Sequence, residues 1–274
     1  MVNSLRNIVL VGAGNVATHL GFALKNLGYQ ITQVYSRTKK SAIRLSSLLD
    51  TGYTTNINLL DNRADLYLFC LKDDGIMPVL CRASFTNQVL VHTSGTLPLS
   101  VFQGCSKNYA VLYPVQTFSR LKKLDLKGVP LCIEANNPDI LATIETMAKE
   151  ISGNVLFMDS DKRKILHLAA IFACNFPNHM YFLAEKILSE SGLNFDLLKP
   201  LIMETASKIL EIDPFSAQTG PAMREDQRII EEHLRILKDL PDIQKLYTFV
   251  SDSISAYRGS PARRTNKNIP EKNE

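Results

Sequence analysis

The residues whose spacing points most directly to chemistry are two glycines and an alanine near the start of the chain. Gly12, Gly14 and Ala17 follow an apolar, β-branched run in a Gly-x-Gly-x-x-Ala pattern. The first glycine permits a tight turn, the second leaves room for a phosphate, and the alanine lets the next helix approach the strand. The pattern predicts a dinucleotide site at Gly12, Gly14, Asn15 and Val16, because an ordinary strand–turn–helix would not need both glycines.

Ser36 and Arg37 indicate which dinucleotide would bind. They follow the second predicted strand, where an acidic residue usually binds the ribose 2′-hydroxyl of NAD, and here that acid is missing. A hydroxyl and a guanidinium, followed by Lys39 and Lys40, suit a 2′-phosphate. The residues therefore favour NADP over NAD, with a solvated basic helix start as the alternative.

Polar residues also follow two other predicted strands. Leu71, Lys72 and Asp73 end one apolar run, and His92 and Ser94 follow the next. Open parallel sheets bind ligands at the carboxyl ends of their strands. We therefore predict that Leu71, Lys72, Asp73 and Ser94 contact the cofactor and that His92 contacts the substrate. Capping of the next helix is an alternative role for Asp73.

The strand pattern stops near residue 158, and only helical periodicities follow. The fold prediction is α/β, with a Rossmann-type, mostly parallel sheet domain over residues 1–158 and an all-helical domain over 159–258 for substrate binding and dimerisation. Residues 259–274 are polar and charged, which predicts a disordered tail. The predicted helices of the second domain span about 162–191, 195–210, 224–237 and 242–257.

One face of the first of these helices is unusually polar. At 3.6 residues per turn, Lys164, His167, Ile171, Asn175 and Asn178 fall within about a quarter of the circumference. An imidazole near neutrality suits proton transfer, and a carboxamide both donates and accepts hydrogen bonds. The alternatives are a core histidine satisfied by hydrogen bonds and an inter-helix amide contact.

Composition excludes several other classes of function. No apolar run approaches the roughly 20 residues of a membrane span. The five cysteines form no C-x-x-C pair, which favours reduced thiols and a cytoplasmic location, and the early first strand leaves no room for a signal peptide. We expect no metal, since zinc-type spacing is missing. The net charge of +4 comes partly from the tail and is weak evidence for nucleic acid.

Taken together, these motifs resemble those of two-domain NADP oxidoreductases in which a Rossmann-like domain precedes a helical domain of unknown function. That group is related to pyrroline-5-carboxylate reductases, 6-phosphogluconate dehydrogenases and β-hydroxyacid dehydrogenases. The resemblance implies NADP-linked chemistry on a small carbonyl or imine compound, a 6-phosphogluconate-dehydrogenase-like helical domain, and a homodimer joined through it. It rests on residues 12–17, 92–95, 114–118, 167–170 with Asn175, and 219–226.

The chain departs from these relatives at three positions. The β-hydroxyacid dehydrogenases use a lysine one turn before the asparagine, where this chain has Ile171. His167 is then the leading catalytic proton donor by elimination, and Asn175 is expected to bind the substrate or the nicotinamide carboxamide. The family often has histidine where this chain has Tyr113, and glycine where it has Glu225.

Arg224 follows a helix-breaking turn and suits bidentate binding of a substrate carboxylate. An Arg224–Asp226 pair that fixes the turn is the alternative. The resulting prediction is an NADP-dependent oxidoreductase that transfers a hydride between nicotinamide and a small, anionic carbonyl or imine metabolite. The missing lysine favours the other hypothesis, a catalytically silent NADP-binding sensor or assembly protein.

Overall fold

Eight strands form one sheet in the order β3-β2-β1-β4-β5-β6-β7-β8 in the computed structural model, which describes residues 5–258. Neighbouring strands are parallel except β6 and β7, which are antiparallel. The mostly parallel sheet confirms the predicted fold class. The strands are β1 Asn7–Val11, β2 Gln30–Tyr35, β3 Gly52–Thr54, β4 Leu66–Phe69, β5 Val89–His92, β6 Asn108–Pro114, β7 Leu131–Ala135 and β8 Val155–Phe157.

Helices cover both faces of the sheet, which explains why its central strands are apolar throughout. On one face pack α1 (Asn15–Asn26), α2 (Lys39–Leu49) and α4 (Pro138–Ile151). On the other lie α3 (Ile76–Leu80) and the 3₁₀ turn Leu99–Phe102. Every residue of β4 and β5 is consequently buried, as expected for parallel strands between two helical layers.

The sheet changes direction at β1. This strand pairs with β2 on one side and with β4 on the other, so the chain winds first one way and then the opposite way. A crevice forms outside the carboxyl ends of the strands at such a switch point. Gly12 directly follows β1 and therefore lies at this crevice.

The remaining helices follow β8, and the chain divides into two compact units. The first unit ends at Pro177 and the second begins at Asn178. The predicted boundary at 158 matches the end of the last strand, but the first unit continues through α5, since Arg163 is bonded to Glu134 of β7. The helices are α5 Ser160–Ala170, α6 Phe176–Ser189, α7 Lys199–Glu211, α8 Pro221–Arg224, α9 Gln227–Ile236 and α10 Pro241–Arg258.

Two predicted helices differ from the structure. The helix predicted over 162–191 contains a π turn, Ile171–Asn175, whose wider spacing breaks the 3.6-residue repeat used to place Asn175 beside His167. The helix predicted over 224–237 is interrupted by Glu225, which has φ +59° and ends α8.

The predicted tail, residues 259–274, lies outside the described residues. Among residues 5–258, no helix combines the length and the apolar character needed to cross a membrane.

Candidate active site

The glycine loop after β1 has the geometry that a dinucleotide phosphate requires. Gly12 has φ +123°, and a Cβ there would lie 2.4 Å from the carbonyl oxygen of Cys70. A Cβ on Gly14 would meet nothing within 4 Å, so the space beside it is open. α1 begins with Asn15 and Val16 and has no acidic residue in its first turn. The open space and the free N–H groups of the helix start fit a phosphate.

A cavity of about 230 Å³ lies beside the carboxyl end of β2. Arg37 and Arg82 both line it, together with Leu71. Ser36 is buried next to Arg37, and its hydroxyl accepts a backbone N–H two residues further on at 3.4 Å. Two guanidinium groups beside one cavity fit a phosphate monoester. These residues therefore form a suitable site for a 2′-phosphorylated ribose.

The turn after β5 uses the hydroxyl of Ser94 internally. Ser94 Oγ accepts hydrogen bonds from the backbone N–H groups of Thr96 and Leu97, both at 3.0 Å. It also lies 3.2 Å from the Thr96 hydroxyl, which donates to the carboxylate of Asp73. The Ser94 and Asp73 side chains thus shape the turn, while Lys72 is exposed at the same edge.

His92 is inaccessible to a substrate, and we revise the prediction that it binds one. Its side chain is fully buried, with its ring centroid 5.5 Å from that of Phe102. Nδ1 accepts a hydrogen bond from the backbone N–H of Ser94 at 3.2 Å. Burial, reinforced by the positive charge of Arg163, lowers the pKa of His92 to about 3. The ring therefore stays neutral near pH 7 and supports the Ser94 turn.

His167 and Tyr113 form a hydrogen-bonded pair at the carboxyl edge of the sheet. The Tyr113 hydroxyl lies 3.1 Å from His167 Nδ1. Gly95 packs against the ring, since a Cβ there would lie 2.7 Å from Nδ1. Burial and the neighbouring Cys132 raise the pKa of Tyr113, and Arg163 opposes this. When the imidazole is protonated, its Nδ1–H donates to the Tyr113 oxygen, and Nε2 can give its proton to a reacting atom and leave a neutral ring.

Arg163 holds α5, and with it His167, against the sheet. The Arg163 side chain is fully buried, and Nη1 donates to Glu134 Oε2 at 2.5 Å. Nη2 donates to the carbonyl oxygen of Leu97 at 2.5 Å and lies 3.3 Å from Ser160 Oγ. These bonds join α5 to β7 and to the turn that contains Ser94. Because His167 is one helical turn beyond Arg163, the same bonds fix the position of the imidazole.

The structure does not establish a shared site for the other two predicted residues. Asn175 is exposed at the end of the π turn. Arg224 is exposed at the end of α8 in the second unit. An Arg224–Asp226 pair is not found within residues 178–258, where the Asp226 carboxylate instead accepts the backbone N–H of Ile229 at 3.3 Å.

Similarity to known proteins agrees with this geometry. A family model described as a domain of unknown function (DUF2520) matches residues 129–254. No curated protein matches the chain. The solved structure of a putative NADP oxidoreductase from Bacteroides fragilis is 44% identical, with a TM-score of 0.89, over 92% of this chain and 98% of that one. The chain belongs to this family of NADP oxidoreductases.

Two further structures show how widely the fold of these NADP oxidoreductases extends. A protein from Thermotoga maritima is 25% identical, with a TM-score of 0.67, over 92% of this chain and 98% of that one. An imine reductase from Myxococcus stipitatus, solved with NADP⁺, is 15% identical, with a TM-score of 0.60, over 92% of each chain. At this identity the second likeness shows the fold alone.

Three residues of this candidate site, Tyr113, Arg82 and Arg163, are not predicted as site residues from the sequence, where Tyr113 is only a departure from the family pattern. Arg163 stands one turn before His167, so its spacing on the helix was a usable signal. No sequence signal placed Arg82 beside Arg37, because the two residues meet only through the winding of the sheet.

Proposed function

We propose that the protein is an NADP-dependent oxidoreductase that transfers a hydride between nicotinamide and a small, anionic carbonyl or imine compound. The observation that carries the proposal is the Tyr113–His167 pair at the carboxyl edge of the same parallel sheet as the glycine loop. A proton donor and a dinucleotide loop at one sheet edge are what a nicotinamide-dependent reduction needs from the protein.

The chain's own residues divide the binding of NADP between two ends of the crevice. The Gly12–Val16 segment would receive the pyrophosphate, and Arg37 with Arg82 would bind the 2′-phosphate. Bound there, the nicotinamide ring donates or accepts the hydride. The turn around Ser94 lies at the edge of this crevice, and its backbone is held in place by hydrogen bonds to the Ser94 hydroxyl.

His167 supplies the proton that a reduced carbonyl oxygen or imine nitrogen must gain. The Tyr113 oxygen accepts a hydrogen bond from Nδ1–H of the protonated ring, which leaves the Nε2 proton for transfer, and Gly95 leaves space for the ring. We propose Asn175 as a second polar ligand in the reaction and Arg224 as the ligand of a substrate carboxylate, on the chemistry of these side chains.

We also propose a cytoplasmic homodimer that associates through the helical unit. The scattered free thiols favour a reducing compartment. The helical unit exposes many large apolar side chains that a second copy would cover.

The proposed activity is tested by incubating purified protein with NADPH and a panel of keto acids, imines and aldehydes. We expect substrate-dependent loss of reduced nicotinamide with at least one anionic member of the panel. NADPH binding without turnover of any compound would favour the catalytically silent sensor. Failure to bind either NADPH or NADP⁺ would contradict both functions.

A further inference from the structure

A second, larger cavity lies on the outer side of α1. Its volume is about 650 Å³, which is within the usual range for small-molecule sites. It lies between α1, α2, the C-terminal end of α4 and the loop over residues 115–130 that joins β6 to β7. We call this loop the strap. The lining includes none of Gly12, Gly14, Ser36 or Arg37. The cavity adjoins the proposed NADP site, to which Arg44 connects it through the carbonyl oxygen of Ala13.

The strap is fastened to α1, so the cavity wall has a defined position. Asn15 Nδ2 donates to the carbonyl oxygen of Phe118 at 2.7 Å. His19 Nε2 donates to the carbonyl oxygen of Ser119 at 2.9 Å, and its ring lies against Phe118 with centroids 5.3 Å apart.

The charges around the cavity are strongly unbalanced. Two carboxylates line it, and both already accept protein hydrogen bonds: Asp125 from the backbone N–H of Lys127, and Glu150 from the Tyr29 hydroxyl. Five cations line the same space, and none of them pairs with a carboxylate within residues 5–177. These are Arg44, Arg120, Lys122, Lys123 and Lys127.

Arg44 is the most constrained of these cations. Its Nη2 donates to the carbonyl oxygen of Ala13 at 2.8 Å, while its Nε is buried without a hydrogen-bond partner. Burial and the nearby charge of Arg120 both lower the pKa of Arg44. An anion between the two guanidinium groups would relieve their repulsion and complete the hydrogen bonding of Arg44.

Three large apolar side chains of the lining are exposed. Phe22 on α1 and Leu48 on α2 are 38% and 49% exposed, and Leu27 is 42% exposed. We propose that the cavity binds a small amphipathic anion, with a carboxylate or phosphate head on Arg44 and Arg120 and a hydrocarbon body against Phe22 and Leu48. This inference is independent of the proposed oxidoreductase activity.

Calorimetric titration of the full chain with octanoate, octyl phosphate, octanol and inorganic phosphate tests the proposal. We expect saturable one-site binding of at least one of the two amphipathic anions. Octanol lacks the anionic head group, and inorganic phosphate lacks the hydrocarbon body. Each should therefore bind about tenfold more weakly or not at all. The tighter of the two anions identifies the head group.

Three variants locate the binding. Arg120→Gln and Leu48→Ser should each weaken binding of the preferred anion, and Arg120→Gln should do so by about tenfold. Lys107→Gln, an exposed lysine outside the cavity, should not. The affinity for NADPH and the thermal unfolding temperature are measured on each variant. Both should be unchanged if a variant affects only the cavity and neither the fold nor the cofactor site. Absence of saturable binding by either anion, or unchanged binding in both cavity variants, would overturn the proposal.

Discussion

Gly12 and Gly14 differ in what their surroundings demand, although they belong to one motif. Gly12 combines a positive φ with a backbone oxygen at its missing Cβ, so the fold itself requires glycine there. Gly14 has φ −83° and faces open space, so the fold tolerates a side chain. Its lack of a side chain is needed only if a ligand approaches.

The two alanine substitutions should therefore change different quantities, the stability of the fold for Gly12→Ala and the affinity for NADPH for Gly14→Ala. Gly12→Ala should lower the free energy of unfolding by about 3 kcal/mol, because left-handed strain and a backbone clash add. Gly14→Ala should change it by less than about 0.5 kcal/mol yet weaken NADPH binding about tenfold. Urea denaturation and calorimetry measure the two quantities. Wild-type NADPH affinity in Gly14→Ala would contradict the assignment of the phosphate site.

His167 should act on turnover and not on cofactor binding. His167→Ala should reduce kcat by about 10²- to 10⁴-fold, the range of general acid catalysis, with the Kd of NADPH unchanged. Steady-state kinetics with an active compound from the panel measure the loss. The matched control is His233→Ala, which removes a similar histidine–tyrosine pair, with His233 Nδ1 2.8 Å from the Tyr247 hydroxyl, in the second unit. Equal effects of the two variants on kcat would remove His167 from the mechanism.

Local sequence patterns predict individual site residues, but they do not predict which distant residues contact one another. The glycine spacing predicts the dinucleotide loop, and the helical spacing indicates His167 as a site residue. The partner Tyr113 lies 54 residues away, so no local pattern could pair the two. His92 follows an apolar strand like a ligand-binding residue, but burial gives it a supporting role.

Among the elements, α5 depends most on a single buried contact. Arg163 joins the helix to Glu134 on β7, and only 19% of the Glu134 side chain is exposed. Arg163 is the sole fully buried residue of α5, and the partly buried Leu166 packs beside it against the cluster of Val111, Tyr113 and Cys132.

Removing Arg163 should be far more destabilising than removing its neighbour. Arg163→Met leaves the Glu134 carboxylate with the Ser160 hydroxyl but without its cation, and should lower the free energy of unfolding by about 3 kcal/mol. Lys162→Met breaks an exposed pair with Asp159 and should cost less than about 1 kcal/mol. Urea unfolding of both variants gives the comparison. Similar losses in the two would show that the buried pair does not anchor α5.

The elements that the sequence predicted are those with strong periodicity. Long apolar runs predict the central strands. β3 has only three residues and begins with Gly52, so no apolar run predicts it. The π turn was not predicted because a constant 3.6-residue period contains no signal for it. The break at Glu225 lacks the glycine that usually marks a left-handed residue.

The helical unit exposes many large apolar side chains within residues 178–258. Within residues 178–258, only Ala222, Leu237, Ile243 and Ser251 are buried. No residue of α6 or α7 is buried. Helices with such faces gain their stability by packing against a partner.

We predict that the protein is a dimer in solution, with twice the 30.6 kDa mass of one chain. Leu201→Glu should dissociate it, because Leu201 is 61% exposed on α7 and a charge cannot be buried there. Leu121→Glu is the control, since Leu121 is 99% exposed on the strap. Chromatography with light scattering measures the masses. A wild-type monomer at micromolar concentration would refute the dimer.

NADPH and NADH differ only in the 2′-phosphate, so the relative affinity of the protein for the two nucleotides tests whether it uses NADP. Calorimetry on the wild type should give a Kd for NADPH at least about tenfold lower than that for NADH, because only NADPH offers a 2′-phosphate to Arg37 and Arg82. Arg37→Ala should weaken the binding of NADPH and leave the affinity for NADH nearly unchanged. Equal affinities in the wild type, or tighter binding of NADH, would contradict NADP as the cofactor of this protein.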